Sequence, residues 1–200
     1  LEKIITDFKI DISKFVILLP GRLTKWKGQE IFIEALSILK KQNEIKPFIG
    51  IILGSDQGRK VYHKKLLSLV DRHRLNHDLI FIPFFKEMPL IYQISNVVVS
   101  TSIEPEAFGR VSVEAQSMEK PVIASNIGGS KETIINNKSG FLFEAGKASD
   151  LAEKLIEVLN LGQMTLQSMG NEGRKNILKK FDIERMCFST FSEYKKLIQK

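Results

Sequence analysis

The chain is poor in the residues that build covalent cross-links and metal sites. It has one cysteine, Cys187, and three histidines among 200 residues. A single cysteine excludes a disulfide within the chain and is consistent with the cytoplasm. No Asp-x-Asp pair and no His/Cys cluster occurs in the sequence, so nothing in it indicates a metal ion. We expect His63, His73 and His77 to face solvent.

Long apolar runs are also missing. No segment approaches the roughly 20 consecutive apolar residues that a membrane-spanning helix needs. Hydrophobic residues still make up 43% of the chain, which is enough for one well-packed domain or two very small ones. The first residue is Leu1 rather than methionine, and we therefore expect the natural chain to continue upstream.

Acidic residues are fewer than basic ones, and the net charge is +7. Such a charge can attract polyphosphates, anionic membrane surfaces or nucleic acid. The lysines are scattered in short runs, as at Lys40–Lys41 and Lys179–Lys180, which favours solvated helix faces. A nucleic-acid binder needs a focused basic face with aromatic platforms, and Trp26 is the single tryptophan. We therefore expect no nucleic-acid partner.

Six short apolar runs alternate with longer segments of helical periodicity. The runs have the length of strands that are buried on both faces of a parallel sheet. They are Phe15–Pro20, Phe48–Leu53, Leu79–Pro83, Val97–Ser100, Pro121–Ser125 and Phe141–Phe143. The alternation predicts an α/β fold with a doubly wound parallel sheet of about six strands and helices on both faces.

The segments between and after these strands are predicted to be helices, because apolar residues recur in them at helical spacing. They are Gly28–Gln42, a segment ending near His73, Met88–Ser95, a segment carrying Glu114, Ser149–Leu161, a segment ending near Lys180, and Asp182–Lys200, whose stripe is Cys187, Phe191, Tyr194 and Ile198. Residues 1–13 show no clear period and are interpreted as a linker.

The most informative stretch runs from Ser100 to Thr133. It is predicted to pass from the end of a strand through a loop with Glu106 into a helix with Glu114. A loop at the carboxyl end of a strand in an α/β sheet is where ligands are held. The N–H groups that open the helix suit a phosphate, and Gly109 lets the backbone approach it. Because Glu114 can accept hydrogen bonds from two adjacent ribose hydroxyls, the stretch predicts a site for a nucleotide attached to a polar group.

The same stretch belongs to an ordered set of motifs between Gly21 and Phe143. The set reads E-A-F-G-R-V-S-V-E-A from Glu106, then K-P-V-I-A, then G-G-S-K-E, then G-F-L. It resembles the donor-binding domain of the retaining glycosyltransferases of family 4, the group 1 of nucleotide-sugar transferases. The family pattern is E-x-F-G-x(4)-E-A, G-x-P-V-V-A, G-G-x-x-E and G-x-L. Glu119–Lys120 departs from it, because a small residue and a glycine are usual there.

The resemblance implies one half of a GT-B architecture, with a Rossmann-like donor-binding domain over residues 14–181. Residues 1–13 would be the linker from a missing N-terminal acceptor domain, and residues 182–200 a helix that packs back toward that domain. The implied reaction is transfer of a sugar, with retention, from a UDP-, GDP- or ADP-sugar to an acceptor hydroxyl. No cofactor or metal is expected, and the chain alone is expected to be inactive.

The implied partners are the nucleotide-sugar donor and, through the missing domain, an acceptor glycan or lipid. Lipid, lipopolysaccharide and soluble glycoside acceptors stay open. The resemblance suggests a bacterial enzyme of cell-envelope polysaccharide synthesis that works in the cytoplasm, and peripheral association with the inner face of the membrane is the alternative location.

Two cations match the family's G-R-x(4)-K-G loop, which here runs from Gly21 to Gly28. The resemblance implies that Arg22 and Lys27 hold the donor diphosphate and stabilise the charge that develops as it leaves. An arginine can clamp two oxygens, whereas a lysine acts as a point charge. Cations are disfavoured at a helix N-terminus, which argues against a merely structural role. The spacing selects Lys27 rather than Lys25.

Two glutamates match the acidic pair of the family. Glu106 corresponds to the residue that contacts the transferred sugar, and Glu114 to the residue that binds the ribose hydroxyls. Glu104 competes with Glu106, but only Glu106 has a glutamate eight residues later. The alternative interpretations are an exposed loop acid and an acid near the positive end of a helix.

The resemblance assigns further residues to the donor site. Phe108, Gly109, Arg110 and Val111 are implied to supply shape and backbone N–H groups, although Phe108 could equally be a core residue. Gly54 matches the glycine that ends the second strand.

At the position for the base, the sequence departs from the family pattern, in which a glycine is more usual than Pro83. Ile82 and Pro83 stand where family members present backbone groups to the base, and Pro83 has no N–H to donate. Gly128 and Gly129 are interpreted as turn formers. Glu132 is interpreted as an acid at a helix start, with a direct role as the alternative.

Two other functional classes are alternatives to sugar transfer. A non-catalytic nucleotide or nucleotide-sugar binding module of the same fold would bind the donor without turnover, even with the N-terminal half restored. An oxidoreductase would need a G-x-G-x-x-G turn after the first strand, whereas this chain reads G-R-L-T-K-W-K-G.

Overall fold

The computed structural model describes residues 2–198, and a single sheet forms its centre. The strands are β1 (Phe15–Pro20), β2 (Phe48–Leu53), β3 (Leu79–Ile82), β4 (Val97–Ser100), β5 (Val122–Ser125) and β6 (Gly140–Phe143). They lie in the order β3-β2-β1-β4-β5-β6, and all five pairings are parallel. The predicted sheet is confirmed, with each strand within one residue of its predicted bounds.

The predicted helices are also present, together with a first helix that was not predicted. They are α1 (Glu2–Asp7), α2 (Gln29–Lys40), α3 (Lys60–Arg72), α4 (Met88–Ile94), α5 (Arg110–Ser117), α6 (Ser130–Thr133), α7 (Ala148–Asn160), α8 (Gln163–Lys180) and α9 (Ile183–Ile198), and a 3₁₀ turn covers Lys25–Lys27. Residue 1 and residues 199–200, which were assigned to the linker and to the last helix, lie outside the described residues.

Helices cover both faces of the sheet, and this explains why its strands are almost continuously apolar. In β1, Ile17 and Leu19 belong to the core that includes residues of α2, α3 and α7. Val16 and Leu18 belong to the opposite core, with residues of α1, α4 and α5. Successive residues of a strand point to opposite faces, so each strand contributes to both cores.

The sheet reverses its order between β1 and β4. β1 pairs with β2 on one side and with β4 on the other. At such a switch point the loops that follow the two strands diverge and leave a crevice at the carboxyl ends. The loop with Arg22 and Lys27 follows β1, and the loop with Glu106 follows β4, so the fold brings both loops to one crevice.

The first segment is not the irregular linker that was predicted. Residues Glu2–Asp7 form α1, and Ile4 and Ile10 are buried in the core beside α4 and α5. A helix of six residues is too short to show a periodic apolar pattern in the sequence. A connection from this segment to an upstream domain stays a prediction.

The last helix has the predicted apolar stripe, which residues 2–198 do not cover. α9 buries no residue, and Phe191, Tyr194 and Ile198 on its stripe are exposed, as is Cys187. Packing of this helix against a second domain stays a prediction. None of the helices between residues 2 and 198 combines the length and the apolar composition that a bilayer-spanning segment requires.

Candidate donor site

A cleft of about 600 Å³ lies at the switch point and collects most of the predicted site residues. Its lining includes Gly21, Arg22, Lys27, Gly54, Glu106, Phe108, Gly109, Arg110, Val111 and Glu114. These residues come from the loops after β1, β2 and β4 and from the start of α5. Side chains that are far apart in the sequence therefore share one site.

The loop that carries the two cations is fixed by backbone contacts. Gly28 has φ 68°, and a Cβ added to it would lie 2.0 Å from the carbonyl oxygen of Thr101. The Thr101 hydroxyl donates to the carbonyl oxygen of Lys27 at 2.8 Å. Only glycine fits this left-handed, closely packed position, which places Lys27 beside the loop after β4.

A relay of two buried, hydrogen-bonded side chains, Gln29 and Tyr62, holds the other end of the same loop. The amide of Gln29 donates to the carbonyl oxygen of Arg22 at 2.9 Å, and the Tyr62 hydroxyl donates to the Gln29 side-chain oxygen at 3.2 Å. Both side chains are buried. Buried polar groups keep their partners because an unmade bond is costly, so the relay fixes the backbone of Arg22.

Lys27 and Glu106 form an ion pair inside the cleft. Lys27 Nζ donates to Glu106 Oε1 at 2.8 Å, and the side chains are 14% and 20% exposed. The Ser102 hydroxyl donates to the same carboxylate oxygen, and Lys27 Nζ lies 4.5 Å from the centre of the Trp26 ring. The cation predicted for the phosphate and the acid predicted for the sugar are therefore in direct contact.

Arg22 contributes an exposed charge to the cleft. Its guanidinium forms no ion pair with any residue that the structure describes. A guanidinium presents five N–H donors in a planar fork that matches phosphate oxygens. Of the two cations in the loop after β1, Lys27 is therefore paired, whereas Arg22 can bind an anion directly.

Glu114 is held through both of its carboxylate oxygens. The Tyr92 hydroxyl donates to Oε2 at 3.0 Å, and Arg110 donates to Oε1 at 2.9 Å. Tyr92 lies on α4 and is buried. Burial, together with the charge of Glu114, raises the pKa of the Tyr92 phenol above its ordinary value, so the phenol stays a neutral donor.

The start of α5 presents backbone donors to the cleft. Gly109 precedes the helix with φ 74°, and the N–H groups of Arg110 and Val111 have no acceptor among the described residues. The first N–H groups of a helix have no partner within it and suit an anion. The predicted use of these groups fits the observed geometry.

Gly128 and Gly129 support the loop that carries Glu106. The Gly129 N–H donates to the Glu106 carbonyl oxygen at 2.8 Å. A Cβ on Gly129 would lie 2.6 Å from the Phe108 carbonyl carbon, and one on Gly128 would lie 2.5 Å from the Glu106 carbonyl oxygen. The two glycines therefore allow a close contact with the backbone of the Glu106 loop. The prediction had given them only the role of forming a turn. Glu132 lines an adjoining pocket that also includes Glu106.

Ile82 and Pro83 are the two predicted donor residues that the structure does not place in the cleft lining. Ile82 is fully buried, and its carbonyl oxygen accepts a hydrogen bond from the Gly54 N–H at 2.9 Å. Phe84 and Phe85, which follow Pro83 in the chain, line the cleft instead. Base recognition by Ile82 and Pro83 stays a prediction.

Several residues of the cleft were not predicted from the sequence. Trp26, Ser55, Gln57, Met88 and Tyr92 line it, and Ser102 contacts Glu106. Tyr92 lies in a short apolar helix and Ser102 in a polar loop, and neither pattern indicates a hydrogen bond to a distant carboxylate.

His63 lies outside the cleft lining. It is half-buried, and its ring nitrogen is 3.4 Å from a carboxylate oxygen of Asp56. No group of three or more His, Cys, Asp or Glu that could bind a metal is found between residues 2 and 198.

Comparison with known proteins gives a consistent result. The family model described as glycosyl transferases group 1 matches residues 2–176. The capsular polysaccharide biosynthesis glycosyltransferase CapM of Staphylococcus aureus is 30% identical over 171 residues, which is 84% of this chain and 43% of CapM.

Solved structures resemble the fold closely. A glycosyltransferase from Rickettsia africae superposes with a TM-score of 0.91 at 32% identity, over 100% of this chain and 52% of that one. HepE of Anabaena, in complex with UDP and glucose, superposes with a TM-score of 0.83 at 28% identity, over 96% of this chain and 51% of HepE. The chain spans about half the length of these relatives.

Proposed function

The chain belongs to the group 1 glycosyl transferases, and on this premise we propose that it is the donor-binding half of a retaining enzyme. The reaction is transfer of a sugar from a nucleotide diphosphate-sugar to an acceptor hydroxyl. The observation that carries the proposal is the single cleft that brings Arg22, Lys27, Glu106 and Glu114 together. It combines cations for a diphosphate with acceptors for hydroxyl groups.

The nucleotide is proposed to lie along the cleft with its ribose at Glu114. Its base then lies toward Phe84 and Phe85, since an exposed aromatic ring is a platform for any base, and Phe84 is 71% exposed. HepE of Anabaena binds UDP and UDP-glucose, and we propose UDP as the nucleotide of this chain.

The diphosphate is proposed to lie between the loop after β1 and the start of α5. Arg22 binds its oxygens, and the N–H groups of Arg110 and Val111 add backbone donors. Lys27 has three N–H donors and gives one to Glu106, so two remain for phosphate oxygens. Cations that are already in place stabilise the charge that develops on the leaving diphosphate without reorganisation.

In the proposed transfer, the bond between the anomeric carbon and the diphosphate oxygen breaks. The acceptor oxygen forms its new bond on the same face of the sugar, and its proton moves to an oxygen of the leaving phosphate. Glu106 orients the sugar, and its position is fixed by Lys27 and Ser102. No covalent nucleophile, cofactor or metal takes part in this proposal.

The acceptor is proposed to bind on a second, N-terminal domain, because this chain spans about half of its relatives. The uncovered apolar stripe of α9 is the surface proposed to pack against that domain. We propose a glycan or lipid acceptor of cell-envelope polysaccharide synthesis, in line with the capsular polysaccharide biosynthesis in the name of CapM, and a location at the cytoplasmic face of a membrane. The chain alone would then bind the donor without transferring the sugar.

A chimera tests this function against the non-catalytic module. This chain replaces the matching half of the Rickettsia africae glycosyltransferase, and release of UDP from UDP-glucose is measured. We expect turnover in the chimera and none in the isolated chain. Arg22→Ala should lower turnover by about a hundredfold, whereas Lys25→Ala, the matched exposed cation, should not. Donor binding without turnover in the chimera would instead support the non-catalytic module.

A further inference from the structure

The carboxylate of Glu114 is held by two donors of very different character. Tyr92 is 2% exposed and donates to Oε2 from α4 at 3.0 Å. Arg110 lies one turn before Glu114 in α5 and donates to Oε1 at 2.9 Å, and its side chain is 84% exposed. An exposed pair of this kind is worth little, whereas the buried phenol is fixed by packing. Tyr92 is therefore the contact that sets the orientation of Glu114.

The packing around Tyr92 leaves it no freedom to follow Glu114. Tyr92 and its neighbour Ile91 are both buried in the core under α4, with Ala115 of α5 in the same core. The phenol stays protonated because burial and the charge of Glu114 raise its pKa. It therefore donates one hydrogen bond to the carboxylate and keeps its proton.

The acceptor capacity that remains on Glu114 matches a ribose. A carboxylate has about four lone-pair sites. Tyr92 and Arg110 each take one, so one stays available on each oxygen. The 2′- and 3′-hydroxyls of a ribose are two adjacent donors, and a carboxylate whose plane is fixed can accept from both at once.

We propose that Tyr92 is a positioning residue that makes the site selective for ribonucleoside diphosphates over their deoxy analogues. It acts through Glu114 and has no contact with the reacting atoms. The inference rests on the proposed function, because it assigns the nucleotide to this cleft with its ribose at Glu114.

The test compares two ligands on the 200-residue chain by calorimetric titration. Tyr92→Phe removes the hydroxyl and keeps the ring, so it should lower the affinity for UDP by about tenfold. Affinity for 2′,3′-dideoxy-UDP should change by less than about twofold, because that ligand has no ribose hydroxyl for Glu114 to accept. A merely structural role would weaken both ligands equally, and that result would overturn the inference.

Two further variants complete the test. In a Glu114→Ala background, Tyr92→Phe should have no additional effect on UDP, because Tyr92 acts only through the carboxylate. Tyr194→Phe removes a phenol that is exposed on α9 and should leave both affinities unchanged. An unchanged UDP affinity in Tyr92→Phe overturns the inference alone, whereas no binding of UDP, GDP or ADP by the unaltered chain overturns the proposed function with it.

Discussion

At the scale of single residues, the site combines a cation that is held in place by its neighbours with one that is not. Lys27 and Glu106 are joined at 2.8 Å in a mostly buried pair, whereas Arg22 is exposed and pairs with none of residues 2–198. The two cations that the resemblance assigns to one diphosphate are therefore held differently. Lys27 provides a positive charge at a fixed position, whereas Arg22 provides a planar guanidinium group that can adjust to a phosphate.

Lys27→Ala should lower the affinity for UDP by about tenfold or more, because it removes a charge-assisted bond from a sheltered site. Lys25 lies two residues away in the same 3₁₀ turn but is exposed and outside the cleft lining. Lys25→Ala is therefore the matched control and should change the affinity by less than about twofold. Calorimetric titration measures both, and equal losses in the two variants would mean that only net charge matters.

The charged residues of the site could be predicted because their spacing is a property of the sequence. Glu106, Glu114 and Lys27 were indicated because their spacings match the motifs of the family that the sequence resembles. Tyr92 and Ser102 could not be predicted, because their roles come from hydrogen bonds to residues on other elements. Such partners are decided by packing and leave no periodic pattern.

At the scale of elements, short backbone contacts position the loops of the cleft. Gly129 lies against the carbonyl group of Phe108 and donates to the carbonyl oxygen of Glu106. α6 therefore begins directly behind the loop that carries Glu106. A substitution at this contact therefore changes the shape of the loop without removing a charged group.

Gly129→Ala should destabilise the chain by about 1–3 kcal/mol, because the new Cβ would meet backbone atoms that cannot move without the loop. It should also weaken binding of UDP-glucose more than that of UDP, since Glu106 moves with the loop. Gly162 precedes α8 with φ −71° and has no atom within 4 Å of an added Cβ, so Gly162→Ala is the control. Urea unfolding gives the stabilities. A Gly129→Ala chain as stable as Gly162→Ala would contradict the contact.

Glu119 lies just after the end of α5, at a position where the backbone conformation favours glycine over other residues. It ends the turn after α5 with φ 57°, a left-handed conformation that costs a non-glycine residue about 1–2 kcal/mol. Its ion pair with Arg174 is long, at 3.7 Å, and half-exposed on both sides, so it compensates little of that cost.

Glu119→Gly should therefore raise the free energy of unfolding by about 0.5–1 kcal/mol, after allowing for the greater freedom of glycine in the unfolded chain. Glu119→Ala removes the same carboxylate without relieving the backbone and should show no gain. Thermal unfolding of the two variants separates the effects. A gain shared by both would place the cause in the side chain.

The elements themselves were largely readable from the sequence. Runs such as Phe48–Leu53 are apolar on both faces because helices cover both sides of the sheet, so length and flanking glycine identify them. α1 was missed because its six residues give no period. Phe84, rather than the predicted Ile82, lines the cleft after β3, and no periodic pattern in the sequence distinguishes the two.

At the scale of the whole molecule, the two ends of the chain differ in how they are held. α1 packs into the core through Ile4, which is 3% exposed, whereas Ile183 at the start of α9 is 71% exposed. The first segment therefore belongs to this domain. The last helix presents the apolar surface that we propose a second domain covers.

Ile4→Ala should destabilise the chain by about 2–4 kcal/mol, because it leaves a cavity in a packed core. Ile183→Ala removes the same atoms from an exposed site and should change the stability by less than about 0.5 kcal/mol. Urea unfolding followed by circular dichroism measures both. Equal losses would mean that α9 is packed within the isolated chain, which would contradict its proposed role.

The most direct test of donor binding is calorimetric titration of the chain with UDP, GDP and ADP, repeated with Arg22→Ala and Glu114→Ala. We predict that UDP binds in preference to GDP and ADP and that each substitution weakens it by about tenfold. Binding that survives both substitutions would place the nucleotide outside this cleft. No binding of any of the three would contradict the assignment of the cleft as a donor site.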